Sequence, residues 1–389
     1  MSLIVHFMSK PAEQRSATPS RKLTLKRRLL YSALVYLGFV LLLVVVEVAT
    51  RLTLPHINSL ELFVSTRQQT AQVATSEKSV IFEGDPLLLW RLKANLRDAV
   101  WDFTVLSTNA EHFRGSRPLG SKQPGVFRIL CVGDSVTFGY RVPVVWPDKP
   151  NEYDRNWLPY PMMLEKELQV ANPGRRIEAV VMAVPGYTSH QGLAWLRRDI
   201  QWLQPDLVTI SFGWNDASFS DAPDREVIRT DWYVVAARWL VNHSQAFAHA
   251  MKWFRELKGT SQSQVIRPVP RVAKSEYLRN FEEMVELVQA NGARAIVIAA
   301  PYRDAVTNPP EASLMTEYRE SLSDWAEHAK IPFLEIRELT ESAHPSNAGW
   351  FGELIHPNHM GHRLITSELL TQFRTRQMLK DITVPNLTP

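Results

Sequence analysis

Four residues at widely separated points of the chain, Ser135, Gly186, Asn215 and His356, are of the types that acyl transfer requires. Hydrolysis of an ester by a serine needs a nucleophile, a base for its proton, a group that orients the base, and donors for the developing oxyanion. Ser135 ends the run Gly133-Asp134-Ser135 and is the candidate nucleophile; Ser and Asp at such a place also suit a helix N-cap. Gly186, in Val184-Pro185-Gly186-Tyr187, can present a backbone N–H that no side chain obstructs, or serve only as a turn glycine. Asn215, in Gly213-Trp214-Asn215-Asp216, can supply an amide donor or cap a helix, and the Ser135 N–H would make a third donor. His356 lies in Glu353-Leu-Ile-His-Pro-Asn-His-Met-Gly361, where Glu353 can curl back to hold its imidazole in one tautomer. His356, His359 and His362 also admit a metal-cluster reading. At three-residue spacing they would spread across a helix face, and Pro357 and Gly361 point instead to a turn.

The elements that must position these residues follow from the change of period after residue 126. Strands are expected at Phe127–Val132, Ile177–Ala183, Leu207–Phe212, Ala295–Ala300 and Phe333–Ile336. Helices are expected at Met162–Val170, Ser189–Leu203, Lys274–Gln289, Ser313–Ala329 and Met360 to about Gln377. Continuous apolar strands alternating with helices imply a parallel sheet covered on both faces. In open α/β sheets of this kind chemistry gathers at the carboxyl ends of the strands, which is where all four candidates fall. Cys131, the single cysteine, lies inside the first strand as a small buried hydrophobe. One cysteine excludes an internal disulfide, and a metal site built on thiolates would need more of them. Two stretches interrupt the alternation: Arg141 to Tyr160, with Trp146, Tyr153 and Trp157, and Ala217 to Val269. The second contains an apolar helix from Trp232 through Phe254, expected to face the core, with a lid or a bilayer-facing surface as the alternative.

The formal net charge of +4 divides unevenly. Residues 1–28 hold seven basic side chains against Glu13 alone, so the remainder carries −2 and offers nothing to a polyanion. Nucleic-acid binding is therefore disfavoured. Leu29 to Val46 contains no charge, and an apolar stretch of about this length spans the hydrocarbon of a bilayer. A signal peptide has a shorter apolar region and a small-x-small cleavage site, whereas Val48-Ala49-Thr50-Arg51 is a poor one. An uncleaved anchor is favoured, with the basic flank in the cytosol and the rest of the chain outside. The organisation expected is a basic tail at 1–28, an anchor at 29–50, a juxtamembrane lead-in at 51–126 and a main domain at 127–379. Within the lead-in, Gln68 to Lys78 reads as a flexible loop and Ser116 to Gly125 as a linker.

Gly133-Asp134-Ser135, Gly186, Gly213-x-Asn215-Asp216 and His356-Pro357-Asn358 with Gly361 resemble the four sequence blocks of the SGNH (GDSL-type) hydrolases. The resemblance runs over about residues 127–375. Leu89–Arg97, Thr108-Asn109 and Phe113-Arg114-Gly115 are similar to the lead-in of membrane-anchored bacterial members. The resemblance implies a three-layer, flavodoxin-like fold and serine esterase or acyl-transfer chemistry without a cofactor. It also implies Ser135, Gly186 and Asn215 at the oxyanion hole and His356 as base. Where the family usually has Asp three residues before the histidine, this chain has Glu353, one methylene longer. The absence of a G-x-S-x-G motif sets aside the α/β-hydrolase elbow. The expected function is a membrane-anchored esterase acting on acyl, including acetyl, esters of an envelope glycan or lipid, facing the periplasm if the source is bacterial. An O-acyltransferase using the same acyl-enzyme, a non-catalytic glycan-binding protein and a lipase at the bilayer are the alternatives.

Overall fold

The computed structural model describes residues 24–64, 80–145, 149–258, 268–301, 310–336, 347–353 and 355–387. The chain divides into two units, Met1–Pro55 and His56–Pro389. The described part of the first is one helix, α1 (Leu25–Thr53), with no buried residue. It starts at Leu25, ahead of the uncharged run, because Lys26, Arg27 and Arg28 are good helix formers. Its mean hydropathy reaches 2.7 over an 18-residue window, and by length and composition it can cross a membrane. The polar stretch Gln68–Lys78 lies outside the described residues.

The second unit begins with α2 (Ser59–Val64) and two hairpins, β1 (Phe82–Asp85) with β2 (Leu89–Leu92) and β3 (Ala99–Trp101) with β4 (Thr104–Leu106). The main sheet is built from β5 (Phe127–Gly133), β6 (Ile177–Ala183), β7 (Leu207–Ser211), β8 (Arg294–Ile298) and β9 (Phe333–Leu334). Its order is β9-β8-β7-β5-β6 and every pairing is parallel. Counting only these five strands, this is the 2-1-3-4-5 flavodoxin-like order, whose switch point lies between the first and third strands. Those are β5, which leads into Ser135, and β7, which leads into Asn215.

The helices are α3 (Ser135–Phe138), α4 (Tyr160–Ala171), α5 (Ser189–Leu203), α6 (Trp214–Ala217), α7 (Asp224–Val227), α8 (Trp232–His243), α9 (Gln245–Lys258), α10 (Lys274–Ala290), α11 (Pro310–His328) and α12 (His359–Thr375). Successive strand residues point to opposite faces. Ile129 and Cys131 therefore join Leu164, Leu168, Ile365, Leu369 and Phe373 of α4 and α12 in one core layer. Leu130 and Val132 join Leu196, Ile200, Phe281, Met284 and Leu322 of α5, α10 and α11 in the other. Every residue of β5 is buried, as the central strand of a three-layer sandwich must be.

The segment before residue 127 shares this second layer. Leu60, Phe63, Trp90, Leu92, Phe113 and Leu119 belong to the same core cluster as Leu130 and Val132. Trp90 donates its indole N–H to the Pro185 carbonyl, and Tyr187 donates to Trp90 O. Residues 56–64 and 80–126 are thus part of the same folded unit as the main sheet.

The helix expected across Trp232–Phe254 is instead two helices. Ser244 ends α8 in an extended conformation and its hydroxyl accepts from the Phe247 N–H at 3.1 Å, which starts α9. The side-chain oxygen of a serine satisfies a helix-start N–H and so competes with continuation of the helix. The expected core-facing stripe is also only partly realised. Of the expected positions Val235, Phe247 and Met251 are half-buried, whereas Trp232, Trp239 and Leu240 are 81%, 51% and 40% exposed, and the residues that are buried, Val241 and Ala248, lie off that stripe. The stretch from 217 to 269 is closed at its base by a two-residue antiparallel pair, Phe219–Ser220 with Val269–Pro270.

Candidate active site

β5 ends in Gly133 because nothing larger fits. A Cβ there would run into the Thr137 side chain and come within 2.8 Å of the Ser211 carbonyl of β7. Asp134 caps the short helix α3 by accepting from the Val136 N–H at 2.9 Å, which points Ser135 out of the sheet edge. The N-cap of this helix is Asp134 and not Ser135. Asp134 is buried, and that burial pushes its carboxyl up to about 6 against the hydrogen bonds from Val136 and Asn215.

Ser135 Oγ lies 2.8 Å from His356 Nε2, across 221 residues of sequence. The other ring nitrogen, Nδ1, is hydrogen-bonded to the Glu353 carboxylate. A carboxylate only accepts, so Nδ1 carries the proton and Nε2 is left to accept from the serine hydroxyl. Burial alone would raise the Glu353 carboxyl, but the hydrogen bond and charge of His356, with Arg141 nearby, outweigh it and hold it below its ordinary value. The extra methylene of Glu relative to Asp is thus accommodated. The loop is fixed by a bridge between Phe351 and Pro357, by Gly352 N–H to His356 O at 3.0 Å, and by Asn358 N–H to Trp350 O at 3.0 Å. Asn358 then caps α12 by accepting from the Gly361 N–H.

The three histidines have separate surroundings. His359 stacks on Trp157 with ring centroids 3.6 Å apart. His362 is buried and accepts from the Tyr160 N–H, and burial pushes it down to about 3, so it stays neutral. Among the described residues no group of three or more His, Cys, Asp or Glu side chains could hold a metal ion. Trp146 lies outside the described residues.

Gly186 has φ +84°, a left-handed conformation that a side chain would strain. Asn215 sits in the first turn of α6 and donates to Tyr187 O at 3.0 Å and, more weakly, to Asp134 Oδ2 at 3.3 Å. The loops after β5, β6 and β7 are therefore tied together by one side chain. The fold brings all of the expected residues, Ser135, Gly186, Asn215, Glu353 and His356, to the carboxyl edge of the sheet.

Several contributors were not read from the sequence. Tyr140 places its ring 4.5 Å from the His356 ring and donates its hydroxyl to Asp102, in the turn between β3 and β4. Arg141 lies over the Tyr140 ring and pairs with the same Asp102 at 3.3 Å. Arg114 is buried and donates to the carbonyls of Phe138, Gly139 and Val142, which holds the chain just after Ser135. With carbonyls in place of a carboxylate partner, burial pushes its guanidinium down to about 9. Phe113-Arg114-Gly115 stood out as a motif, but its destination did not.

Behind Gly186, Arg271 donates to the Gly186 carbonyl at 2.9 Å and forms a fork with Asp224 at 3.1 and 3.0 Å. Thr188 donates to Asp224 as well, at 2.8 Å. Asp216, next to Asn215, accepts from the Ser189 N–H and hydroxyl, while burial pushes its carboxyl up to about 8. A salt bridge between residues 47 apart in sequence leaves no local signature.

A flavodoxin-like sheet with Ser135, His356 and Glu353 brought together at its carboxyl edge is an arrangement that can carry acyl transfer. The model of the GDSL-like lipase/acylhydrolase family matches residues 131–364, and the chain belongs to that family. Among solved structures it is similar to an α/β hydrolase from the metagenome of Lake Arreo, Spain, at 18% identity, covering 65% of this chain and 97% of that one with a TM-score of 0.42. It is also similar to an acetylxylan esterase of Geobacillus stearothermophilus (18% identity, 65% and 95% coverage, TM-score 0.42). A GDSL-like lipase of Bacteroides thetaiotaomicron is a third (15% identity, 64% and 88% coverage, TM-score 0.37). Likenesses this distant carry no argument beyond the family match. No curated protein matches the chain in sequence.

Proposed function

We propose that the protein is a membrane-anchored serine esterase that removes acyl groups, acetyl among them, from an envelope glycan or lipid through an acyl-enzyme. The observation that carries the mechanism is the 2.8 Å contact of Ser135 Oγ with His356 Nε2, whose far nitrogen is held by Glu353. In this reading His356 takes the Ser135 proton as Oγ attacks the ester carbonyl. The imidazolium so formed is stabilised by the Glu353 carboxylate. The oxyanion is received by the N–H groups of Ser135 and Gly186 and by the Asn215 amide. The 3.3 Å donation from Asn215 to Asp134 is the long one, and it is the bond a tetrahedral intermediate would replace. His356 then protonates the leaving alcohol, the carbonyl re-forms, and water activated by the same imidazole releases the acid.

Anchoring is supported by the hydropathy of α1 and its 29-residue length. The basic flank at residues 10–28 supports a cytosolic N-terminus and a catalytic unit on the other side. An acyl glycan as substrate is supported by the aromatic side chains beside the histidine loop, Tyr140 and Trp157, since aromatic faces give large apolar contact with few rotors.

The test is covalent labelling of the full chain with a fluorophosphonate probe, beside Ser135→Ala and His356→Ala. Labelling that disappears in Ser135→Ala and collapses in His356→Ala is expected. A folded wild-type protein that does not label would overturn the acyl-enzyme reading.

A further inference from the structure

The face of α8 and α9 that leaves the core is unusually aromatic for a surface. Trp232, Tyr233, Trp239, Leu240, Trp253 and Leu257 are 81%, 50%, 51%, 40%, 63% and 63% exposed. Singly exposed apolar residues are ordinary, but by helical spacing Trp232, Tyr233, Trp239 and Leu240 share one face of α8 and Trp253 and Leu257 one face of α9, and apolar faces of this kind, with three tryptophans between them, mark an interaction surface. The opposite side of the pair is fastened to the body by directional polar contacts. Asn242 donates to Gly84 O at 3.0 Å, and Arg238 donates to Pro86 O at 3.2 Å and Val227 O at 2.8 Å. The exposed face therefore has a fixed orientation on the catalytic unit.

Two further observations identify what covers it. The first is where the pair is attached. Gln245, the first residue of α9, accepts from the Ile57 N–H at 2.8 Å and donates back to Ile57 O at 3.2 Å. Ile57 follows the last residue of α1, Thr53, by four residues, a chain that can reach roughly 14 Å when extended. The second is composition. Arg229 and Lys252 are exposed on the same two-helix segment, while Arg238 and Arg255 are turned to the body, Arg255 donating to Leu62 O. Tryptophan and tyrosine beside arginine and lysine are the residues that settle at a headgroup boundary, where one end is apolar and the other wet.

We infer that the α8–α9 face rests on the lipid headgroup region of the bilayer that α1 spans. The inference depends on the anchored reading given above and adds a second contact to it. It makes the catalytic unit a body held at the membrane by two points, a covalent stem and an aromatic face. Two points fix the tilt of the sheet edge that carries Ser135, which a four-residue stem alone does not.

The chain offers a direct readout, because none of its 12 tryptophans lies within α1. Tryptophan emission therefore reports the catalytic unit only. The full chain is reconstituted into vesicles of phosphatidylcholine and phosphatidylglycerol, with and without bromine atoms near the top of the acyl chains. Bromolipid is expected to quench the share of emission carried by Trp232, Trp239 and Trp253. A Trp232→Ala/Trp239→Ala/Trp253→Ala variant that still labels with fluorophosphonate is expected to show no quenching. Carbonate extraction in parallel reports on α1. Protein that resists extraction but whose emission ignores bromolipid overturns the inference and leaves the anchor standing. The same result with pairwise cross-linking through α8 and α9 assigns the face to a second copy, and equally overturns it. Protein released by carbonate that is still quenched by added bromolipid vesicles sustains the surface and removes the anchor. Release without quenching overturns both.

Discussion

The Arg271–Asp224 fork should govern rate and stability separately, and a two-residue cycle can pull the two apart. Arg271 and Asp224 expose only 6% and 0% of their side chains. In Arg271→Met the aliphatic stem is kept, while Asp224 loses its guanidinium and Gly186 O loses its donor. Removing one partner of a buried pair costs about 3–5 kcal/mol, because the remaining charge is left in the interior. Adding Asp224→Asn removes that charge, and most of the stability should return. The Thr188 hydroxyl can still donate to the amide oxygen, since it donates to the same side chain now. The rate should not return with it. Without Arg271 the peptide at Gly186, held at φ +84°, has lost the side-chain donor on its carbonyl. That carbonyl belongs to the peptide after the one whose N–H would face the oxyanion, so the loss should fall below the roughly 10²–10³ in kcat that removing an oxyanion donor outright costs. The assays are urea unfolding followed by tryptophan emission and steady-state hydrolysis of p-nitrophenyl acetate. The single variant should lose both quantities. The double variant should regain stability while kcat stays low at little-changed KM, the signature of an interaction made in the transition state. If kcat recovers in step with stability, Arg271 is only structural and the reasoning fails.

Three further outcomes follow from the geometry. Glu353→Gln should lower kcat by roughly 10²–10⁴, because an amide can present an N–H to Nδ1 and favour the wrong tautomer; Glu353→Asp should keep more activity, and equal rates for the two variants would remove Glu353 from the mechanism. Burial pushes Asp216 up to about 8, so the native state keeps a proton that the unfolded chain releases near pH ~4, and this group lowers stability by about 1.4 kcal/mol per pH unit between those limits. The penalty is absent at acid pH and complete above about pH 8; Asp216→Asn should flatten the decline in urea midpoint from pH 6 to 8, and parallel pH profiles would contradict it. Gly186→Ala places a Cβ on a backbone at φ +84°, costs of order 1–3 kcal/mol in strain, and should reduce turnover more than binding; unchanged kcat would place Gly186 outside the oxyanion hole.

Much of this protein is legible in one dimension because its determinants are local. The apolar runs that become β5 to β8 are continuous since both faces of a parallel sheet are covered, and the helices between them carry their own period. Each member of the site occupies the turn just after a strand or just before α12, so a parallel sheet brings them to one edge without further instruction. The sequence also determined α1 as a helix long and apolar enough to cross hydrocarbon, because that property is a matter of length and apolarity alone. What tertiary structure decided are the long-range polar choices. Arg114 braces the backbone after Ser135, Asp102 holds Tyr140 and Arg141 beside His356, and Arg271 reaches Gly186 and Asp224. A charged side chain looks the same in sequence whether it ends in water or in the interior. The same limit explains α8 and α9. Helical spacing of apolar residues shows that a face exists, but only the contacts of Ile57, Leu62, Gly84 and Pro86 with the other side show that the aromatic face is left outside.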